Sequence, residues 1–143
     1  MLRSIATAAV LAAGATIAYA DGHAIGDAAA GEKTFARCKS CHMIESADEV
    51  IVKGGKTGPN LYGIVGRQAG TADFNKYGDA LVAAGEAGLI WTPELIAEYV
   101  VDPKAFLAKT LDDNSVRSRM AFKLRKGGED IAAYLATFSA EDS

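Results

Sequence analysis

Between Ala47 and Asp73 the chain carries Gly54-Gly55, Gly58-Pro59-Asn60, Gly63, Gly66 and Gly70. Glycine at that density interrupts helices and strands alike, so the stretch is expected to be one long irregular loop. Long structureless loops are uncommon in compact domains unless they wrap something. The flanking segments read as short helices. Asp27 is a candidate N-cap for a helix running to about Lys39, with Gly31, Phe35 and Cys38 along one face. Tyr77–Ala84 reads as another. Thr92-Pro93-Glu94 combines an N-cap hydroxyl, a proline at the first helical position and an acid near the positive helix end. The helix it opens carries Leu95, Ile96, Tyr99 and Val100 and stops at Asp102-Pro103. Residues 103–108 form a further short stretch, a polar loop runs to Met120, and a last helix from about Glu129 places Ile131, Tyr134, Leu135 and Phe138 at i, i+3, i+4, i+7. No convincing period-2 strand run and no internal repeat is visible. The expectation is one all-α domain of four or five short helices and long loops, whose modest core calls for a large apolar object at its centre.

Cys38-Lys39-Ser40-Cys41-His42 points to that object. Cysteines at i and i+3 sit about one turn apart on one helical face, which suits two thioether bonds to the vinyl groups of a haem. The adjacent His42 then projects an imidazole nitrogen towards the iron. C-x-x-C-H is the attachment signature of c-type haem. A thioredoxin-like redox pair would want a βαβ setting, which the helical pattern does not supply. A zinc site would have to enlist His23 as a fourth ligand beside Cys38, Cys41 and His42.

The N-terminus agrees with this chemistry. Residues 1–20 hold fifteen apolar residues and a single charge, Arg3, and they end in Ala18-Tyr19-Ala20 before Asp21. A short positive end, an apolar run and small residues at a cleavage point are the parts of a secretory signal peptide. The competing reading is an uncleaved anchor. Against it, the 17 uncharged residues are at the short edge of a membrane span and rich in weakly inserting alanine. Cleavage after Ala20 leaves residues 21–143 as a single exported domain, in the periplasm of a bacterial host. The whole chain has 15 Lys+Arg against 18 Asp+Glu, which gives no overall basic surface for nucleic acid.

A haem iron held by His42 has a sixth position to fill. Met1 leaves with the signal, Met43 follows His42 too closely to reach the opposite face, and His23 lies in a polar tail. Met120 remains, in a polar, basic loop and not on an apolar helical stripe. A thioether there favours Fe(II) and raises the reduction potential.

The ordered set Gly31-x-x-x-Phe35-x-x-Cys38-x-x-Cys41-His42, Thr57-Gly58-Pro59-Asn60-Leu61-Tyr62-Gly63, Gly66-Arg67, Trp91, Tyr99, Asp102-Pro103-Lys104, Ser118-Arg119-Met120-Ala121-Phe122 and Ile131-x-x-Tyr134-Leu135 resembles class I cytochromes c, in particular the bacterial cytochrome c2 and c550 group. The resemblance spans residues 27–139 and implies a cytochrome c fold around one covalently bound haem c. It implies that Pro59 offers its carbonyl to the second nitrogen of His42. Arg67, Tyr77 and Trp91 are similar in placement to residues that bond a buried haem propionate, and Tyr99 to a phenol near the methionine sulfur. Gly31 and Phe35 are expected to cross the last helix near Ile131 and Tyr134. The segment from Pro103 to Met120 is longer than in mitochondrial-type proteins, as it is in the long c2 forms.

With both axial positions filled, the expected function is one-electron transfer by a soluble, monomeric periplasmic carrier, not catalysis. The resemblance implies a cytochrome bc1 complex as donor and a terminal oxidase, photosynthetic reaction centre or soluble reductase as acceptor. Seven cations between Asp102 and Lys126 (Lys104, Lys109, Arg117, Arg119, Lys123, Arg125 and Lys126) face three acids, with Lys39, Lys53 and Lys56 near other haem-flanking segments. They suggest a basic rim for transient docking. Two other readings stay open here: a haem peroxidase or gas-binding protein with a labile sixth ligand, and a non-haem module with a Cys38–Cys41 disulfide.

Overall fold

The computed structural model describes residues 25–139. The expected signal segment at residues 1–20, its expected cleavage point after Ala20 and His23 lie outside the described residues. Five helices follow in chain order: α1 (Ala28–Thr34), α2 (Asp79–Glu86), α3 (Pro93–Val101), α4 (Pro103–Leu111) and α5 (Gly128–Ala136). Among the described residues no helix is long and apolar enough to cross a membrane.

Three of the five helices, α1, α3 and α4, begin at a side chain that accepts from their first amides, and α3 and α4 also open on a proline, which has no amide to satisfy. Asp27 accepts from the amides of Ala29 and Ala30 at the start of α1, and Thr92 Oγ1 accepts from Leu95 N at 3.3 Å ahead of Pro93 in α3. Asp102 ends α3 and caps α4, accepting from Ala105 N at 3.1 Å. Asp112, in the left-handed region at φ 51°, stops α4 three residues beyond the expected end at 108.

Three expectations change. The first helix does not run on to Lys39: it tightens into a 3₁₀ turn at Phe35–Arg37. Cys38 N donates to Phe35 O at 2.8 Å, the i to i−3 bond of the tighter turn, and the Lys39 carbonyl accepts from Gly55 N at 2.8 Å across the loop. The second helix begins at Asp79 and not at Tyr77, because Tyr77 turns aside to pack edge-on against Phe74, ring centroids 5.0 Å apart. A two-stranded antiparallel ribbon is present where no strand was expected. Ile44–Glu45 (β1) pairs with Val50–Val52 (β2) through an irregular register, Ile44 opposite Val52 and Glu45 opposite Val50. Strands of two and three residues are too short to show an alternation.

The packing frame is α1 crossing α5, with α3 against α5 on the other side. Phe35 and Tyr134 meet at 5.6 Å between ring centroids, as the expected crossing requires. Gly31 makes the crossing possible. A Cβ built on it would lie 2.0 Å from the carbonyl oxygen of Asp130, which is backbone and cannot swing away. Behind this pair, Trp91, Tyr99 and Phe106 form an aromatic cluster with centroids 5.0 to 5.9 Å apart.

Alanine in place of glycine within an exposed helix stabilises by about 1 kcal/mol. Here Gly31→Ala is expected to destabilise by roughly 1–3 kcal/mol, since overpacking against backbone outweighs the propensity gain. Urea unfolding of the two proteins measures the sign directly.

Candidate functional site

The helices enclose a cavity of about 460 Å³ that opens to the surface on one side. Its walls are mainly apolar, contributed by Phe35, Leu61 and Ile64 from the loops, Ile96 and Val100 from α3, Leu107 from α4, and Ile131 and Leu135 from α5. All nine residues singled out from the sequence line this one cavity: Cys38, Cys41, His42, Pro59, Arg67, Tyr77, Trp91, Tyr99 and Met120. Met43 does not line it. Its carbonyl accepts from Leu61 N at 3.0 Å and so serves the loop.

His42 is held by its ring. The Nδ1 is 2.8 Å from the Pro59 carbonyl oxygen, which can only accept, so Nδ1 carries the proton and donates. The other nitrogen, Nε2, keeps its lone pair for a ligand bond. Burial pushes the imidazole below its ordinary pKa, opposed by the Pro59 bond, and favours this neutral form. Gly58 lies against the ring, and a Cβ there would be 2.4 Å from Cε1. Only glycine lets the loop approach this closely.

The two cysteines sit in unlike surroundings. Burial raises the Cys38 thiol, whereas hydrogen bonds with Thr57 and then Ser40 lower the exposed Cys41. His42 N reaches back to Cys38 O at 2.9 Å, so attachment motif and imidazole form one turn. Met120 arrives from the long loop after α4, and Ser118 Oγ donates to its carbonyl at 2.9 Å. Burial raises the Tyr99 phenol, an effect partly offset by hydrogen bonding with Ser118.

Arg67 is half-buried and has no carboxylate partner among the described residues. It donates instead to two main-chain carbonyls, Nη1 to Tyr62 O at 3.2 Å and Nη2 to Asn60 O at 3.1 Å. It thereby braces the loop that carries Pro59. Tyr77 accepts through its hydroxyl from Ala72 N at 3.3 Å.

The charged side chains lining the cavity are of one sign: Arg37, Arg67, Lys76, Arg117 and Arg119, with no Asp or Glu among the described residues. Of the seven cations counted after Asp102, only Arg117 and Arg119 line the cavity. Lys109 pairs with Glu98 at 2.8 Å and Lys123 with Asp102 at 2.6 Å. Arg37 and Lys76 were not singled out from the sequence, although Arg37 directly precedes Cys38 and its position was the available signal.

No protein-family model matches the chain. Curated relatives do. Cytochrome c-551 of Roseobacter denitrificans is 58% identical over the full length of both chains. Cytochrome c2 of Rhodobacter capsulatus is 61% identical over 78% of this chain and 82% of its own. Among solved structures, that of Rhodobacter capsulatus cytochrome c2 superposes with a TM-score of 0.77 over 78% of this chain and 97% of its own. Cytochrome c2 from Paracoccus denitrificans, 47% identical, gives 0.78 over 82% and 99%. The architecture is thus the class I cytochrome c fold. The chain belongs to the cytochrome c2 and c-550 family of monohaem c-type cytochromes, which are electron carriers and not enzymes, and its cofactor is one covalently attached haem c.

The walls suit that group: an apolar hollow, a neutral imidazole with a free nitrogen, a thioether, and two cysteines on the same cavity. Arg67 supplies a measure of how tightly the loop is held. Removing its charged donor from two carbonyls in Arg67→Met is expected to cost about 1.5–3 kcal/mol. Arg67→Lys, with one point charge in place of the fork, should recover only part of that. Denaturant midpoints of the two holo variants provide the comparison.

Proposed function

We propose that Cys38 and Cys41 form the thioethers to the haem, and that His42 Nε2 and Met120 sulfur are the axial ligands of its iron. The observation that carries this reading is the convergence of all four residues on one cavity, with the His42 ring already oriented by Pro59. The bound haem supplies reversible one-electron exchange between Fe(III) and Fe(II). The chain's own residues do the rest. Pro59 holds the tautomer of His42. The apolar walls exclude water, which keeps reorganisation small. Arg67, Tyr77 and Trp91 hold a propionate in this reading, which is supported by their sharing one cavity and by the N–H groups Arg67 has beyond the two it donates to carbonyls. Tyr99 sits on the same cavity as Met120 and near Ser118, in keeping with a role beside the sulfur.

The protein works, in this reading, in the periplasm. Residues 1–20 are a signal peptide cleaved after Ala20, and residues 21–143 form the single mature domain. The full-length match to cytochrome c-551 supports this, because it includes the N-terminal segment. The electron donor is a membrane cytochrome bc1 complex, and the acceptor is an oxidase, a reaction centre or a soluble reductase. Docking is transient, by a monomer, through the cations at the cavity mouth. That rim is narrower than the charge run suggested: it consists of Arg37, Lys76, Arg117 and Arg119, since Lys109 and Lys123 are engaged in ion pairs elsewhere.

Met120→Ala tests the ligand set. It should abolish the far-red band of ferric iron bound to methionine sulfur and lower the potential by about 0.1 V or more, within the ≈ 0.8 V span that axial ligands command. An unchanged potential would show that another group fills the sixth position. For docking, the reduction rate with an acidic redox partner should fall as ionic strength rises. Arg117→Ala should slow it at low salt and converge with the unaltered protein at high salt.

A further inference from the structure

Phe122 stands two residues past Met120 and is 39% exposed on the cavity lining. Arg37 stands one residue before Cys38 and lines the same cavity. The guanidinium carbon of Arg37 lies 5.2 Å from the centroid of the Phe122 ring, within the range of a cation–π contact. Among the described residues no carboxylate pairs with Arg37, so the ring is the partner its charge has. One residue belongs to the segment that carries the attachment cysteines, the other to the loop that brings in Met120.

The rest of that loop is fastened unevenly. Past Phe122, Leu124 is buried and its amide donates to Val100 O at 2.7 Å, while Lys123 pairs with Asp102. Before Met120, most residues from Asp112 to Arg119 are exposed. The Ser115 hydrogen bonds stay local, to Asp113, while Ser118 bonds both to Met120 O and to the Tyr99 phenol of α3. Met120 therefore sits between a largely exposed stretch fastened at Ser118 and a firmly held one at Lys123 and Leu124. The Arg37–Phe122 contact ties that junction back to the haem-attachment segment.

We propose that Arg37 is a positioning residue: its guanidinium, stacked on Phe122, clasps the Met120 loop to the Cys38 segment and sets how often the sixth position is open to an outside ligand. The proposal rests on Met120 being an axial ligand. An external ligand enters only molecules whose loop has opened, so its apparent affinity scales with the open fraction.

Imidazole is the probe, titrated into ferric holoprotein carrying Arg37→Met, Arg37→Lys, Phe122→Leu or both Arg37→Met and Phe122→Leu. Methionine keeps most of the length of the arginine stem and loses the charge. Arg37→Met is expected to bind imidazole about two- to fivefold more tightly than the unaltered protein, the range an exposed cation–π contact supports. Arg37→Lys should recover part of the difference. The double variant should exceed the larger single effect by little, because both substitutions break one contact. Wild-type imidazole affinity in Arg37→Met, a lysine variant no different from the methionine one, or single effects that multiply would each overturn the clasp. If the unaltered protein lacks the far-red band, the Met120 assignment fails and the clasp fails with it. If the band is present and imidazole binding is unmoved, the clasp alone fails.

Discussion

None of the five helices exceeds nine residues, and the core they build with the loops is packed around a cavity: Phe35, Ile96, Leu107, Ile131 and Leu135 belong to that core and line the hollow at once. The remaining features follow from that constraint. α1, α3 and α5 pack together as a frame, and apolar side chains of α3, α4 and α5 face a hollow. The long glycine-rich loop closes around the same space. A covalently attached haem thus completes the core as well as performing the chemistry, which ties the stability of the chain to its cofactor. The turn at Cys38–His42 lines the same hollow, and the Pro59 carbonyl holds that turn to the opposite loop through His42 Nδ1.

Much of this was readable from the sequence because it depends on local chemistry. The caps at Asp27 and Thr92 announce their helices through side chains that reach amides two or three residues on, whereas Asp102, legible only as a stop for α3, also caps α4. The attachment motif is likewise contiguous. What escaped depends on distant partners. Phe35–Arg37 tightens into a 3₁₀ turn, and Lys39 gives its carbonyl to Gly55, a residue no local pattern connects to it. The ribbon at Ile44–Glu45 and Val50–Val52 is shorter than any periodicity can reveal. Tyr77 leaves its helix because Phe74 and Ala72 offer it better company. Arg67 resembles a surface cation in composition, and only the folded loop presents it with the carbonyls of Asn60 and Tyr62.

The charge run after Asp102 taught a related lesson. Counting signs along the chain located a basic region but did not separate its members. Some of those cations point at carboxylates on α3 or its cap, and others stand at the cavity mouth. The mouth also recruits Arg37 and Lys76 from segments far away in sequence. The exposed cations of the cavity lining are assembled by the fold from three separate stretches of chain.

The two ion pairs have a consequence for how the molecule moves before it touches anything. Glu98 and Asp102 each cancel a lysine away from the mouth, while the mouth itself has no acid to cancel its arginines. The whole chain is negative, at −3, so the cations lining the cavity stand out against a net charge of opposite sign. A positive patch on a body of negative net charge contributes an electric dipole moment. In the field of an acidic molecule such a patch feels a torque as well as an attraction, and is turned forward while the protein is still in free diffusion. The rotational search that ordinarily slows the meeting of two specific patches is thereby shortened.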